Sequence, residues 1–273
     1  MAPSPLITVM TNAVRKAARG VQRDFGEVSN LQVSVKGPGD YVTASDKKCE
    51  KVLREELAKA RPGYGFLGEE GGPTAGTDPE HRWIIYPIDG TTNFMHSVPL
   101  FAISVALERA GELVAGMTYN PITDEMFAAE KGGGAYLNNR RLRVAARKDL
   151  TEALVCCGIP HRGRKDHGLA RAEIAVMQGK TIGIRRLGSA TLELAYIAAG
   201  RFDAAWERNL SPWDMAAGIV LIREAGGFIA DCDGEANPML TGNIIAANAD
   251  LLPHVKSALK EARTLGERAE SFA

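Results

Sequence analysis

Trp83-Ile84-Ile85-Tyr86-Pro87-Ile88-Asp89-Gly90-Thr91-Thr92-Asn93-Phe94 reads as an apolar strand that stops at a proline and presents Asp-Gly-Thr-Thr at its carboxyl end. The residues ahead of Pro87 are aromatic or β-branched, as in a buried strand. An aspartate at such an end can bind a hard cation through oxygen. The backbone N–H groups of Gly90, Thr91 and Thr92, if they open a helix, form a nest for phosphate oxygens. An ordinary turn with a capping aspartate accounts for the same residues.

Three further segments carry carboxylates at element ends. Gly68-Glu69-Glu70-Gly71-Gly72 puts two in a glycine-bounded loop, Asp40-Tyr41-Val42-Thr43-Ala44-Ser45-Asp46 puts one at a helix start, and Trp213-Asp214-Met215-Ala216-Ala217-Gly218 puts another at a second helix start. Each alone is equally a cap or a solvated charge.

Upstream, Ser4-Pro5 reads as cap and first residue of an amphipathic helix, with Leu6, Val9, Met10, Ala13, Val14, Ala17, Val21 and Phe25 at helical spacing. A second helix opens at Thr43 and ends at Pro62-Gly63. Downstream, strands at 101–107, 113–119 and 125–129 make a mostly antiparallel meander, and Gly132-Gly133-Gly134 a tight hairpin. From about residue 150 the pattern predicts strands at 153–158, 182–185 and 227–231, helices at 189–199 and 214–225, and a helical tail at 247–267. The shift near residue 145 suggests two subdomains sharing one cleft, 1–145 and 146–273. The first is α+β with most of the candidate metal ligands, and the second is α/β.

The 273 residues allow a sizeable core, and 45% hydrophobic with 24% charged residues is the composition of a globular protein. Lys plus Arg equals Asp plus Glu at 33 each, so the bulk charge of a dedicated nucleic-acid binder is missing. Cys49, Cys156, Cys157 and Cys232 make no secreted-type disulfide framework, and Cys156-Cys157 reads as part of a buried strand. No run approaches the ~18 apolar residues of a membrane span. A reducing, cytoplasmic location is expected. His81, His96, His161, His167 and His254 lack ligand spacing and are expected in surface or loop roles; Lys36 and Arg185-Arg186 read as solvated.

Taken in order, Gly-Glu-Glu, Pro-Ile-Asp-Gly-Thr-Thr-Asn-Phe and Trp-Asp-x-Ala-Ala-Gly resemble the inositol monophosphatase family, nearest its bacterial suppressor-type members. The similarity runs from the amino-terminal helix to Ala246-Ala247-Asn248. The resemblance implies a layered α/β/α/β/α sandwich of the inositol monophosphatase and fructose bisphosphatase type, Mg2+ dependence, lithium sensitivity and a homodimer. It also implies direct attack of water on a small phosphomonoester. By the same resemblance Glu69, Asp89, Asp214 and the Ile88 carbonyl hold magnesium. Asp46 and Thr91 orient the water, with Glu69 in the same catalytic group. Asp89 and the Gly90, Thr91 and Thr92 backbone cradle phosphate, and Gly188, Ser189, Ala190 and Glu207 meet the alcohol part of the substrate.

This chain departs from the family pattern at Tyr86, where Asp-Pro-x-Asp-Gly becomes Tyr-Pro-Ile-Asp-Gly. The missing aspartate is the one expected to bridge two cations. A phenol of pKa ~10 is a poor magnesium ligand. Two expectations follow: a phosphatase of myo-inositol monophosphate or a similar sugar phosphate impaired by Tyr86, or a catalytically weak dimer that binds the transcription or RNA machinery.

Overall fold

The computed structural model of the chain describes residues 4–27, 33–37, 40–234 and 236–271, with side chains at 4–27, 43–234 and 236–265. Tyr41, Val42 and the side chain of Lys36 lie outside the residues whose side chains are described. In chain order the first elements are α1 (Pro5–Phe25), the hairpin β1 (Val33–Gly37) and β2 (Asp40–Thr43), and α2 (Ala44–Ala60). Then come β3 (Gly65–Gly68), β4 (Gly72–Thr74), β5 (His81–Asp89), the short α3 (Thr91–Met95), β6 (Ala102–Arg109), β7 (Glu112–Asn120), β8 (Glu125–Glu130), β9 (Gly134–Leu137) and β10 (Arg140–Arg141).

The opening stretch becomes β5, an interior strand of an eight-stranded sheet ordered β10-β9-β8-β7-β6-β5-β3-β4. It pairs antiparallel with β6 and parallel with β3. Trp83, Ile84 and Ile85 are all buried because both faces of the strand are covered, which is why the segment reads as a continuous apolar run. On one face lies the α1/α2 layer: Met10, Val14, Leu53 and Leu57 pack with Trp83, Ile85, Ile103 and Val105. Each such buried side chain contributes roughly 1.5–3 kcal/mol of burial free energy.

The second half comprises β11 (Leu154–Cys157), α4 (His167–Gln178), β12 (Gly183–Arg185), α5 (Ala190–Ala198), β13 (Ala204–Glu207), α6 (Pro212–Glu224), β14 (Phe228–Ala230), α7 (Pro238–Thr241), β15 (Ile244–Ala247) and α8 (Leu251–Ser271). Its five strands form a second sheet, ordered β12-β11-β13-β15-β14. Helices α5 and α6 fill the space between the sheets: Leu194, Ile197, Met215 and Ile219 share a core with Phe127 and Ala129 on one side and Cys156 and Ala205 on the other. The outer face of the second sheet is closed by α4 and α8 through Met177, Leu251, Val255 and Leu259. The order of layers is therefore α/β/α/β/α.

Several boundaries differ from the sequence reading. The strand does not stop at Pro87 but continues to Asp89. The tail helix begins at Leu251, because Ile244–Ala247 form a fully buried strand instead. Helix α6 begins two residues early, with Ser211 as cap and Pro212 in the first turn, so Asp214 is its third residue. Helices α4 and α7 and strands β1 to β4, β13 and β15 are absent from the sequence reading; β13 and β15 are buried at every position, so no alternation marks them.

Candidate active site

The decisive geometry is a bulge in β5. Tyr86 is opposite Ser104 and Asp89 opposite Ala102, so one extra residue is inserted on the β5 side between them. Pro87 has no amide to give the ladder, which favours a bulge there, and the Cys49 thiol donates to its carbonyl at 3.3 Å. In a regular strand residues three apart face opposite ways; the insertion turns Tyr86 and Asp89 to the same side, and the Tyr86 hydroxyl is a hydrogen-bond partner of Asp89.

Two helices aim their first turns at this point, each with an aspartate as third residue of a capping box. In α2, Asp46 Oδ2 accepts from the Thr43 amide at 2.8 Å and hydroxyl at 2.6 Å, and Thr91 Oγ1 approaches Asp46 Oδ1 at 3.4 Å. In α6, Asp214 Oδ2 accepts from the Ser211 amide at 2.6 Å. The short α3 follows Gly90, whose φ of +96° suits glycine. As the first turn of a helix, it leaves early amides without an intrahelical acceptor. The Thr91 hydroxyl also reaches the Ile88 carbonyl at 3.2 Å.

The fourth contributor is the β3–β4 hairpin, whose loop carries Glu69 and Glu70. Buried Glu50 of α2 holds it, accepting from the Glu70 and Gly71 amides at 2.8 and 2.9 Å. Arg54 in turn bonds Glu50 at 2.8 Å and the Gly72 carbonyl at 2.8 Å. The result brings carboxylate oxygens of Asp46, Glu69 and Glu70 within 4.8 Å of one another.

Tyr86 stands among these acids. Burial and the negative charges of Asp89, Asp214, Glu69 and Asp46 hold its phenol protonated, well above its ordinary pKa. Burial raises Asp89 as well, opposed by the Thr191 amide and the Ser189 and Thr191 hydroxyls, each 2.7 Å from Oδ2. Asp214 is pushed up to about 7 by burial and then by Asp89. Hard oxygen donors crowded until their carboxyls resist ionisation are what a divalent cation relieves, so the donor set fits Mg2+. The phenol in its midst does not belong to that chemistry.

Asp89 and Asp214 also line a cavity of about 210 Å³ whose walls include Gly188, Ser189, Ala190 and Glu207. The cavity thus joins Asp89, Asp214, Gly188, Ser189, Ala190 and Glu207, while Asp46, with Thr91 beside it, and Glu69 lie near Asp89 and Asp214 around Tyr86. Ser189 has a supporting bond as well, since its hydroxyl is spent on Asp89. The sequence reading missed Thr43, Glu50, Thr191 and Glu193. The Thr-x-x-Asp capping pattern was a usable signal for Thr43; the others depend on contacts between distant elements. His161, assigned a surface or loop role, lines the cavity with Arg164 and Lys165. Arg185 is exposed, as expected; Arg186 is exposed too but also lines the cavity.

A family model described as the inositol monophosphatase family matches residues 2–265. The chain is 58% identical over 261 residues to an inositol-1-monophosphatase of Rhizobium meliloti (strain 1021), covering 96% of this chain and 97% of the relative. It is 40% identical to a Nus factor SuhB of Pseudomonas aeruginosa, covering 94% and 99%. The crystal structure of an extragenic suppressor protein suhB from Bartonella henselae superposes with a TM-score of 0.92 at 50% identity, covering 94% of this chain and 99% of that one.

Proposed function

Because the chain belongs to the inositol monophosphatase family and is thus a phosphoric monoester hydrolase, we propose that it hydrolyses myo-inositol monophosphate or a similar small sugar phosphate with Mg2+, at a rate limited by Tyr86. The observation carrying this reading is the meeting of Asp46, Glu69, Asp89, Thr91 and Asp214 around one point, at the end of a cavity lined by Glu207 and the 188–190 turn.

In this reading Glu69, Asp89, Asp214 and the Ile88 carbonyl hold the magnesium. When bound, it supplies positive charge against the phosphate and the developing alkoxide and makes water more acidic. Asp46 has Oδ2 committed to Thr43 and keeps Oδ1 beside Thr91, so this oxygen can take a proton from the attacking water. The Gly90, Thr91 and Thr92 amides receive phosphate oxygens, and the 188–190 turn with Glu207 positions the alcohol. Most of the ligands then come from residues 1–145, with 146–273 completing the site. The protonated phenol of Tyr86 offers neither the charge nor the hard anionic oxygen of a carboxylate, so charge stabilisation falls while ground-state phosphate contacts remain. Phosphate release from a panel of sugar monophosphates, in Mg2+ and after chelation, tests the reading; release unaffected by chelation would refute it.

Tyr86 also supports a second reading, a homodimeric binding protein of the RNA machinery, in keeping with the SuhB names among the relatives. Both readings carry a homodimer, a cytoplasmic location and, for the enzyme, lithium sensitivity. Among the described residues no helix is long and apolar enough to cross a membrane. Light scattering at micromolar concentration tests the dimer, and salt-resistant RNA binding would favour the second reading.

A further inference from the structure

Glu193 lies one turn into α5, is 1% exposed, and has no role in the reading above. Its Oε1 accepts from the Leu187 amide at 2.6 Å and the Gly188 amide at 3.2 Å. The same turn is held from its other side, where Asn93 Nδ2 donates to the Leu187 carbonyl at 2.7 Å, and beyond it Ser189 bonds Asp89. Glu193 is thus the inner brace of the 188–190 turn.

Its second oxygen is the more informative. Oε2 is buried and no donor among the described residues bonds it. The Glu193 carboxyl lies against that of Glu207, itself buried at the end of β13, and both line the same cavity. Two ionised carboxylates cannot share a dry site in contact, and an orphaned buried oxygen is costly. One proton held between them removes both penalties. Burial raises both groups, Glu193 to about 7 and Glu207 well above the ordinary carboxylate range.

We propose that Glu193 is a positioning residue for substrate choice: Oε1 fixes the 187–189 turn, and the Glu193 carboxylate accepts a hydrogen bond from the Glu207 carboxyl, so that the outer oxygen of Glu207 is set to accept a hydroxyl of a neutral polyol. This rests on the phosphatase reading and deepens it, since the site would then select a polyhydroxy alcohol phosphate. A phosphomonoester without a hydroxyl in reach would gain nothing from the pair.

The test is equilibrium binding to the full chain in Mg2+, with two probes that cannot be hydrolysed: methylphosphonate, and the carbon-linked phosphonate analogue of myo-inositol 1-phosphate. The ratio of their affinities reports the polyol contacts alone. In Glu193→Leu that ratio should fall about tenfold, the worth of one hydrogen bond involving a charged partner, with methylphosphonate affinity held within about threefold. Glu193→Gln, whose amide can bond Glu207 and still cap the turn, should keep the ratio within about threefold. Glu193→Asp, which retains charge but withdraws from Glu207, should lower it and serves if the leucine variant does not fold. An unchanged ratio in the leucine and aspartate variants, or both probes weakening in step, overturns the inference. Wild-type protein that binds methylphosphonate without preferring the polyol overturns it too and leaves the phosphatase reading standing; binding neither probe overturns that reading itself.

Discussion

Replacing Tyr86 by aspartate places a fifth carboxylate opposite Asp46, Glu69, Asp89 and Asp214, and the sign of its effect depends on the cation. Without metal, each like-charge neighbour at ~4 Å costs about 1 kcal/mol in a water-like medium and about 4 kcal/mol at an effective dielectric constant of 20. The phenol's hydrogen bond to Asp89 is also lost. Metal-free Tyr86→Asp should therefore melt below the tyrosine form. Against a divalent ion, one added carboxylate at ~4 Å is worth about 2 kcal/mol even in the water-like limit, or roughly thirtyfold in Kd. Calorimetric titration of both forms should show magnesium binding the aspartate form at least ~30-fold more tightly. Added magnesium should raise its melting temperature above that of its metal-free state by more than in the tyrosine form. Single-turnover release of phosphate from myo-inositol 1-phosphate should rise in parallel. Equal or tighter magnesium binding by the tyrosine form, or equal turnover, would refute the account of Tyr86 and mean that the site uses a ligand set other than Glu69, Asp89 and Asp214.

Removing the Glu50 carboxylate (Glu50→Ala) strips two loop amides and Arg54 of their buried partner. It should cost about 3–5 kcal/mol in denaturant titration and weaken magnesium binding through the displaced Glu69–Glu70 loop. Gly116 of β7 lies against α6 so closely that a Cβ would come 2.5 Å from the Ala217 carbonyl oxygen. Gly116→Ala should thus lose about 1–3 kcal/mol and melt several degrees lower, with the carboxylate cluster intact. For metal-free protein, Asp214 rises from 3.8 to about 7 on folding, so the folded state holds its proton more tightly. The stabilisation is complete below pH ~4 and lost as pH rises to ~7. Thermal melts should show this decline, and Asp214→Asn should flatten it.

The β5 segment shows what was legible from residues alone. An uninterrupted apolar run bounded by Pro87 and Asp-Gly announces a strand covered on both faces, and Ser4-Pro5 and Thr43-x-x-Asp46 announce helices, because caps and periodicity are local properties. The ordered carboxylate motifs identified the family, and with it the α/β/α/β/α layers. What the sequence could not supply is direction. That Tyr86 and Asp89 face the same way follows from a bulge measured against β6, a strand that begins thirteen residues after Asp89. That Glu50 steers Glu69, and Glu193 braces Gly188 and faces Glu207, depends on contacts across the packed layers. Residue type and spacing determined which groups were available. Only packing, which decides which carboxylates are stripped of water and which donors remain to meet them, made them one site.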